Sequence, residues 1–390
     1  LRFTQAYAGG PVCAAARSVL MTGLHNGHTP ARDNVPHYET YLNDEDVTVA
    51  EVLKSAGYGC AGVGKWSLGD AGTIGRATNQ GFDHWFGYLN QDHAHYYYTE
   101  YLDDDEGRLE LTGNSTSRKS YSHDLMTGRA LKFIRGESAR ATRRPFFLYA
   151  AYTLPHFSSK AEDKDGLAVP STAPYSDRNW DEKSKKYAAM IHMLDRDVGR
   201  IVKLVDDLGL SRDTLIIFTS DNGGHAAVAK RFHTSGPLRG YKRGLTEGGI
   251  RVPFIARWPG KIPVGKTNHE IIAFQDMLPT FAELAGVGVK NQGNIRVVGN
   301  FEHNDRLLSW PVDGISILPA LKGGELTTPR EFLYWDYGHC RGKNYAQAVR
   351  MGRWKGILRA RTARMELYDL DRDIGESNNL AARHPEIVRQ

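Results

Sequence analysis

One long amphipathic pattern followed directly by an apolar strand constrains the fold of this chain more than any other feature. Between positions 187 and 208, apolar side chains recur every three or four residues, which is the spacing of one helical face. They are Ile191, Leu194, Val198, Ile201, Val205 and Leu208. Gly209 follows as a helix C-cap, and a strand is predicted to begin at Thr214. Similar apolar runs at 146–152 and 252–257 predict further strands, so we expect an α/β sheet with helices on both faces.

The length and the C-terminal pattern predict two domains. The 390 residues exceed the size at which one hydrophobic core usually stops growing. After Gly324, short strand-like runs follow one another at 332–336, 346–351, 354–358 and 366–369. We therefore predict a large domain at 1–324 and a small antiparallel α+β C-terminal subdomain at 325–390. The polar segment 102–119 is expected to be an irregular excursion.

Composition excludes some classes of function. No stretch approaches the roughly 20 apolar residues of a membrane-spanning helix. Lys and Arg residues are scattered, whereas a nucleic-acid-binding protein would arrange them in a stripe. The formal net charge of +5 favours an anionic substrate or reflects a mixed, solvated surface, and both remain open. The three cysteines, Cys13, Cys60 and Cys340, are too few for a disulfide scaffold and match no zinc pattern.

Segment 13–23 carries the strongest chemical signal. Cys13-Ala14-Ala15-Ala16-Arg17 is followed by Leu20-Met21-Thr22-Gly23. If a helix begins here, the four-residue spacing places Cys13 and Arg17 on the same face. Taken alone, the string also fits a buried structural cysteine.

Two further segments carry groups suited to an anion and to a hard cation. In 64–69, Lys65 lies between Gly64 and Trp66, and its charge suits a developing oxyanion. In 219–225, Asp221 and Asn222 follow an apolar strand, where ligand sites of doubly wound sheets occur. Their oxygen atoms suit Ca²⁺, and the same residues also fit an ordinary turn.

Three more segments contain candidate lysine, arginine and histidine residues. Segment 237–253 contains Lys242 together with Glu247 and Arg251, the last two of which are expected to be structural. Pro155-His156 follows the strand predicted at 146–152, and a histidine there suits proton transfer near neutral pH. Segment 87–98 combines histidines with tyrosines, which suits contact with sugars and also suits a hydrophobic core.

Together these segments closely resemble the type I, formylglycine-dependent sulfatases, and bacterial polysaccharide sulfatases in particular. The order and spacing of the motifs agree along most of the chain, as far as the stretch 366–380. The resemblance implies an alkaline-phosphatase-like α/β sandwich with a central, mostly parallel sheet between helices. It also implies hydrolysis of sulfate monoesters on a sulfated carbohydrate, with bound Ca²⁺. One departure is Ser67, which stands where the family has histidine.

The resemblance also implies a role for each candidate residue. Cys13 would be oxidised by a formylglycine-generating enzyme, and the hydrated aldehyde would attack sulfur, with Arg17 holding the diol. Lys65 and Lys242 would bind the sulfate, and His156 would protonate the leaving alcohol. The implied metal ligands are Asp221, Asn222 and modified Cys13, and the expected substrate contacts are Ser67, His93, His95, His225 and Arg239. Cys60 and Cys340 are expected to be structural thiols.

Three further expectations concern a preceding strand, the location of the protein and alternative functions. Family members begin with a strand that ends in paired aspartates, and we expect that strand to precede Leu1, since the chain opens in the middle of an element. Export to the periplasm or the medium is also expected. Two alternatives remain open, namely a phosphonate monoester or phosphodiester hydrolase of the same superfamily, and a non-catalytic glycan-binding relative, which Ser67 motivates.

Overall fold

The computed structural model describes residues 1–34, 41–158, 166–291, 295–300, 307–338 and 345–390. Cys340 therefore lies outside the described residues. The strands are β1 (Arg2–Tyr7), β2 (Gly59–Lys65), β3 (His84–Tyr88), β4 (Tyr101–Asp104), β5 (Gly107–Glu110), β6 (Phe146–Ala151), β7 (Ile216–Thr219), β8 (Phe254–Arg257), β9 (Thr267–Ala273), β10 (Gly288–Asn291), β11 (Ile295–Asn300), β12 (Leu307–Pro311), β13 (Leu333–Tyr337), β14 (Ala346–Met351), β15 (Trp354–Leu358) and β16 (Glu366–Asp369).

Helices alternate with these strands along most of the chain. They are α1 (Cys13–Thr22), α2 (Val49–Ser55), α3 (Asn114–Ser117), α4 (Ser122–Ser138), α5 (Glu182–Asp207), α6 (Ala226–Phe232), α7 (Glu247–Ile250), α8 (Met277–Leu284), α9 (Leu318–Leu321) and α10 (Pro385–Arg389). The predicted α/β class is confirmed by this alternation. Among the described residues, no helix is both long enough and apolar enough to span a membrane.

The chain divides into two compact units. The first unit comprises Leu1–Tyr38, Val47–Val52 and Ile217–Gln390, and the second comprises Glu39–Asp46 and Leu53–Ile216. Residues 325–390 belong to the first unit in this division, and the domain boundary at residue 324 stays a prediction.

The main sheet of the first unit has the strand order β7-β8-β1-β9. Strand β1 is antiparallel to β8 and parallel to β9. Helix α1 follows β1 after a short turn, and its Ala16 and Val19 are buried against Ala8. The turn can lie this close to α1 only because position 9 is glycine. A Cβ atom there would lie 2.3 Å from Cβ of Val19. This close approach fixes where α1 begins.

The first unit also contains an antiparallel sheet near the C-terminus, with the order β13-β14-β15-β16. Its pairings are antiparallel throughout, as the short strand-like runs predicted. Strands β14, β15 and β16 have the predicted bounds, and β13 is displaced by one residue from the predicted 332–336. Trp335 is buried in the core of this sheet, and its indole nitrogen donates a hydrogen bond to the Ala8 carbonyl at 2.9 Å.

The sheet of the second unit has the order β5-β4-β3-β2-β6. Strand β2 is parallel to both β3 and β6, so the carboxyl ends of these three strands lie at one edge. The predicted strand at 146–152 corresponds to β6. Strand β2 is buried along its whole length, which agrees with the structural position expected for Cys60.

Two sequence predictions for the second unit are wrong in detail. Segment 102–119 contains the antiparallel pair β4 and β5. Its polar pattern reflects the exposed side chains of β5, which is the edge strand of the sheet. Helix α5 matches the predicted helix, but Ile191 is 43% exposed, because the buried stripe at that point passes through Met190 and Met193.

Candidate active site

The predicted site residues fall into two groups, one in each unit. The group in the first unit consists of Cys13, Arg17, Asp221, Asn222, His225, Arg239 and Lys242. The group in the second unit consists of Lys65, Ser67, His93, His95 and His156. The first group lies on helix α1 and in the loops that follow β7, and the second lies at the ends of strands and in the loops that follow them.

The thiol of Cys13 is buried at the start of α1, next to a lysine and an amide. The Nζ atom of Lys242 lies 3.3 Å from Cys13 Sγ, and Asn222 Oδ1 lies 3.8 Å from it. Cys13 is the first residue of this ten-residue helix, whose N-terminal end carries partial positive charge and favours anions. A negatively charged group attached to this side chain would therefore be stabilised by both the lysine and the helix.

Arg17 lies one turn further along the same helix and forms an ion pair with Asp221. Its Nη2 atom is 3.0 Å from Asp221 Oδ2, and the arginine side chain is almost fully buried. The condition stated from the sequence is met, because a helix begins at Cys13 and contains Arg17. The pairing with Asp221 was not foreseen from the sequence.

Backbone hydrogen bonds tie the Lys242 loop to both of its neighbours. The Lys242 amide donates to the Gly224 carbonyl at 3.0 Å, and the Arg243 amide donates to the Pro11 carbonyl at 3.0 Å. The loop is thus joined to the turn before Cys13 and to the turn that follows Asn222. These two attachments account for the short distance between the lysine and the thiol.

A buried charge cluster anchors the other end of this loop. Glu247 accepts hydrogen bonds from Tyr7 at 2.6 Å and from Lys355 at 2.8 Å, and its backbone amide donates to Glu376 at 2.7 Å. Arg251 lies 3.1 Å from the same carboxylate. Burial alone would raise the pKa of Glu247, but Lys355 and the other donors lower it to about 2. The contacts agree with the structural role expected for Glu247 and Arg251.

The remaining two candidates in the first unit contact neighbouring protein groups. His225 accepts a hydrogen bond from the Ala227 amide at 3.1 Å. Arg239 donates to the Glu376 carbonyl, and its guanidinium lies 5.3 Å from the centre of the Tyr368 ring. Arg239 therefore connects its loop to the C-terminal sheet, and its role in substrate binding stays a prediction.

In the second unit, the candidates follow the carboxyl ends of three adjacent parallel strands. Lys65 ends β2, the two predicted histidines of segment 87–98 follow β3, and His156 follows β6. Ligand sites of α/β sheets form at this edge because the loops after parallel strands converge there. The topology thus places residues from three distant segments at the same edge of one sheet.

Ser67 has an unusual backbone and a buried hydroxyl. Its φ is +67°, a value that residues other than glycine seldom adopt, and its amide donates to the Leu89 carbonyl at 3.0 Å. Within the part of the chain that the structure describes, the Ser67 hydroxyl oxygen has no hydrogen-bond partner. Such strain combined with an unsatisfied polar atom is typical of a functional position.

His95 and His156 lie side by side. Their rings meet edge to face with centroids 4.8 Å apart, and His95 Nδ1 lies 3.2 Å from the Ser158 hydroxyl. Tyr97 donates to the His156 carbonyl at 2.7 Å and so fixes the loop after β6. The sequence indicated the two histidines. It did not predict the hydrogen bonds of Tyr97 and Ser158 to this pair, because a hydroxyl group in a loop belongs to no recognisable motif.

His93 is placed differently from His95. It packs between Tyr88 and Tyr101, with ring centroids 4.9 and 4.2 Å away, and its Nε2 lies 2.6 Å from the Thr99 hydroxyl. Burial, assisted by a nearby arginine, lowers the pKa of His93 to about 4. The ring is therefore neutral near pH 7 and serves the packing of this segment, while its contact with substrate stays a prediction.

The oxygen ligands near Cys13 are of the types that calcium ions bind. Asp221 offers carboxylate oxygens and Asn222 offers an amide oxygen, both of which are hard ligands that Ca²⁺ prefers. The amide oxygen already faces the Cys13 side chain at 3.8 Å. Two residues supply only part of the six to eight oxygen ligands that Ca²⁺ usually takes.

Comparison with known proteins identifies first the fold of the chain and then its family. A phosphonate monoester hydrolase of Agrobacterium radiobacter shares the fold over 100% of this chain and 86% of its own, with a TM-score of 0.63 at 18% identity. The predicted alkaline-phosphatase-like fold is confirmed. The sulfatase family model matches residues 1–287. The chain therefore belongs to the sulfatase family.

Individual relatives agree with this assignment. The N-acetylgalactosamine-6-sulfatase of Canis lupus familiaris is 30% identical over 90% of this chain, which spans 64% of the length of that relative. The arylsulfatase A of Homo sapiens is 29% identical, with 100% of this chain and 78% of the relative covered. The crystal structure of Ps i-CgsB in complex with k-i-k-neocarrahexaose has a TM-score of 0.78 at 26% identity, covering 99% of this chain and 82% of that one.

Proposed function

We propose that this protein hydrolyses sulfate monoesters, and that its substrate is a sulfated carbohydrate. The observation that carries the proposal is the arrangement at the start of α1, where Lys242 Nζ lies 3.3 Å from Cys13 Sγ. This arrangement lies within the residues that match the sulfatase family model. The names of the relatives support a sulfated sugar, since several are N-acetylgalactosamine-6-sulfatases.

Cys13 is proposed to be the reactive position. Formylglycine, made from Cys13 by a formylglycine-generating enzyme, would supply the nucleophile. Lys242 then holds the reacting side chain and binds the anionic sulfate, since its ammonium group is already within hydrogen-bonding distance of that side chain. Arg17 adds positive charge one turn away, and Asp221 fixes its orientation through their ion pair. The partial positive charge at the start of α1 acts in the same direction.

Asp221 and Asn222 are proposed to hold the calcium ion. A bound calcium ion would supply positive charge that stabilises the sulfuryl group. Because Asp221 also pairs with Arg17 at 3.0 Å, one carboxylate would position both a cationic side chain and the metal. Loss of Asp221 is therefore expected to affect metal binding and the orientation of Arg17 together.

The second group is proposed to act in the same reaction. The match to the family model spans both groups, and this continuity supports the assignment. Lys65 would bind the sulfate, and His156 would donate a proton to the leaving alcohol. His95 lies beside His156, with ring centroids 4.8 Å apart, and Ser158 holds it there. His95 is accordingly proposed to keep the His156 ring in place and to contact the sugar.

The first experiment tests the nucleophile and the reaction class. The protein is expressed together with a formylglycine-generating enzyme, and the peptide containing Cys13 is examined by mass spectrometry. Turnover is then measured with nitrophenyl sulfate and with a nitrophenyl phosphodiester. We expect the aldehyde at position 13 and a preference for the sulfate. An unmodified thiol in an active preparation would exclude the mechanism, and a preference for the phosphodiester would support the hydrolase alternative.

Lysine variants provide a matched control for the anion-binding role. Lys242→Ala should lower turnover by roughly 10²–10³-fold, as expected for loss of one group that stabilises the transition state. Lys203→Ala removes a lysine whose side chain is 74% exposed and pairs with Asp207, so its activity should equal that of the wild type. Equal effects of the two substitutions would contradict the role of Lys242. Binding of sulfated saccharides without any turnover would favour the glycan-binding alternative.

The proposed acid is tested by changing the leaving group. A nitrophenolate leaves without a proton, whereas a sugar alkoxide needs one, because general acid catalysis matters most for a poor leaving group. His156→Ala should therefore slow a sugar sulfate by roughly 10²–10⁴-fold and an aryl sulfate far less. Lys242→Ala should slow both substrates to a similar degree. If His156→Ala slows both equally, His156 is a binding residue, and the next candidates are His95, His225, His233 and His93.

The proposed export is tested separately. Cell fractionation of the native producer, followed by detection of the protein in the periplasm or the medium, would support it. Detection in the cytoplasm alone would contradict it.

Assays of the purified protein on a panel of defined sulfated saccharides identify the sugar and the position of the sulfate.

A further inference from the structure

A second cluster of potential metal ligands lies in the first unit, outside the proposed active site. It consists of His25, His28 and Asp313, whose ligand atoms all lie within 4.8 Å of one another. His28 Nδ1 is 2.9 Å from Asp313 Oδ2, and His25 Nε2 is 3.9 Å from the same oxygen. The two imidazole rings are stacked, with centroids 4.0 Å apart. Nothing in the proposed reaction uses these residues.

The backbone holds the three side chains in this arrangement. The His28 amide donates to the His25 carbonyl at 2.9 Å, so the two histidines lie on one tight turn after α1. The His25 amide donates to Asp313 Oδ2 at 2.8 Å, and the Asp313 amide donates to the Gly23 carbonyl at 2.9 Å. These bonds join two segments 288 residues apart. The ligands are therefore positioned before any ion arrives.

We propose that His25, His28 and Asp313 form a binding site for a divalent transition-metal ion, with Zn²⁺ as the best match. Two imidazole nitrogens and one carboxylate oxygen are ligands that Zn²⁺ accepts, with water in the fourth position. Ligand atoms roughly 2.0–2.1 Å from a tetrahedral zinc ion are about 3.3 Å apart. The observed separations of 2.9 and 3.9 Å lie on either side of this spacing. All three ligand atoms lie within 4.8 Å of one another, so side-chain shifts would bring them to the spacing that zinc requires.

The surroundings suit such a site. The His28 side chain is 60% exposed, so an ion can enter from solvent, while the side chains of His25 and Asp313 are 11% and 24% exposed. The His25 ring packs against Tyr334 and Phe332, with centroids 5.4 and 6.1 Å away. These aromatic rings limit the access of water to one side of the cluster and restrict the orientation of the imidazole.

The proton positions on His25 add one cost to metal binding. His25 Nδ1 accepts a hydrogen bond from the Gly27 amide at 2.9 Å, so in the neutral ring Nε2 carries the proton. Binding a metal through Nε2 would move that proton to Nδ1 and break one ordinary hydrogen bond. Metal coordination outweighs a loss of this size.

Zinc titration with matched histidine variants tests the proposal. The full chain, carrying no histidine tag, is freed of metal with a chelator and titrated with ZnCl₂ by calorimetry in millimolar CaCl₂. Calcium occupies oxygen-rich sites under these conditions but competes poorly for imidazole. All proteins carry Cys13→Ser, which removes the thiol at position 13 as a zinc ligand. We expect one zinc ion per chain at this site.

The comparison of His28→Ala with His84→Ala decides the outcome. His84 Nδ1 lies 3.0 Å from Asp105, and its side chain is 58% exposed, so it forms a similar histidine–aspartate pair. Among the described residues, that pair is not part of a cluster of three ligands. His28→Ala should weaken zinc binding at least about tenfold, and His84→Ala should leave it unchanged. Asp313→Asn should weaken binding in the same way as His28→Ala.

Three results would overturn the proposal. The first is the absence of zinc binding by the parent protein when zinc is in large excess over micromolar protein. The second is equal zinc affinity of His28→Ala and the parent. The third is equal weakening by His28→Ala and His84→Ala. In each case the cluster is a hydrogen-bonded link between two segments only. Sulfatase activity does not enter this experiment, so its result is independent of the proposed function.

Discussion

Replacing Lys355 with methionine should destabilise the protein strongly, and the size of the loss should depend on pH. Lys355 is completely buried, and its Nζ lies 2.8 Å from Glu247 and 3.0 Å from Glu376, both also buried. Methionine keeps most of the length and volume of the lysine stem. The substitution therefore removes a charge and changes the packing little, and it leaves two carboxylates without their shared partner.

The magnitude follows from the geometry. At an effective dielectric constant of about 20, a pair of unit charges about 2.9 Å apart attracts by roughly 6 kcal/mol. The cost of removing these charges from water offsets much of this attraction, so the net contribution of the intact cluster is small. Removal of one partner is different, because the remaining charge stays buried. Losses of about 3–5 kcal/mol are typical of that change, and we expect Lys355→Met to fall in this range at neutral pH.

The dependence on pH has a definite sign. Burial raises the pKa of Glu376, and the attraction of Lys355 only partly offsets this effect. At Glu247 the balance is reversed, because Lys355 and the other donors outweigh burial and lower the pKa to about 2. The stability contributed by Glu247 is therefore present above its ordinary pKa of 4.5 and is lost as the pH falls toward 2. Without Lys355, both carboxylates bind protons more readily. The deficit of the variant should be largest near neutral pH and should already be smaller at about pH 5, because the carboxylates bind protons as the pH falls toward their ordinary range.

Urea unfolding followed by tryptophan fluorescence measures these differences. The free energy of unfolding is determined at about pH 7.5 and about pH 5 for the wild type, Lys355→Met and Lys203→Met. Lys203 forms an exposed ion pair with Asp207, so its substitution should cost less than about 1 kcal/mol. Adding Glu247→Gln to Lys355→Met should recover part of the loss. A loss below about 1 kcal/mol for Lys355→Met, or the same loss at both pH values, would refute this reasoning.

Two further predictions concern the thiols and the turn before α1. Cys60 is buried in β2 and belongs to none of the motifs that carry the proposed chemistry, so Cys60→Ser should leave the turnover number nearly unchanged, whereas Cys13→Ala should abolish turnover without unfolding the protein. A loss of turnover in Cys60→Ser as large as that in Cys13→Ala would show that the wrong cysteine has been assigned. Gly9→Ala places a Cβ atom 2.3 Å from Val19 and should cost about 1–3 kcal/mol in urea unfolding, with partial recovery when Val19→Ala is added. Full stability of Gly9→Ala alone would contradict the close approach.

Local patterns predicted the elements that local forces determine. Helix α5 followed from the recurrence of apolar residues, and its first turn is capped by Asp181, which accepts from the Ser184 amide at 2.9 Å. Strands β14 and β15 followed from short apolar runs between turns. The start of α1 coincides with the Cys13 motif. In each case neighbours along the sequence decide the structure, so the information lies within one short segment.

Elements whose polarity depends on tertiary position were harder to predict. Strand β5 looked like loop because its residues face solvent at the edge of the sheet. Ile191 looked buried because it fits the helical period, yet the packing surface of α5 at that level begins at Met190. A polar edge strand and an irregular loop have similar sequences, and only the position in the sheet distinguishes them.

The sequence by itself determined the α/β class, the motifs and the types of chemical group available. Tertiary structure alone decided which groups meet. Lys242 reaches the Cys13 thiol across 229 residues, and Asp313 reaches the His25 turn across 288. Glu247 and Lys355 form a buried ion pair, which the presence of a glutamate and a lysine in the sequence does not predict. The physical reason is that such contacts depend on the packing of sheets and loops from distant segments, whereas helix and strand patterns depend on neighbours within a few residues.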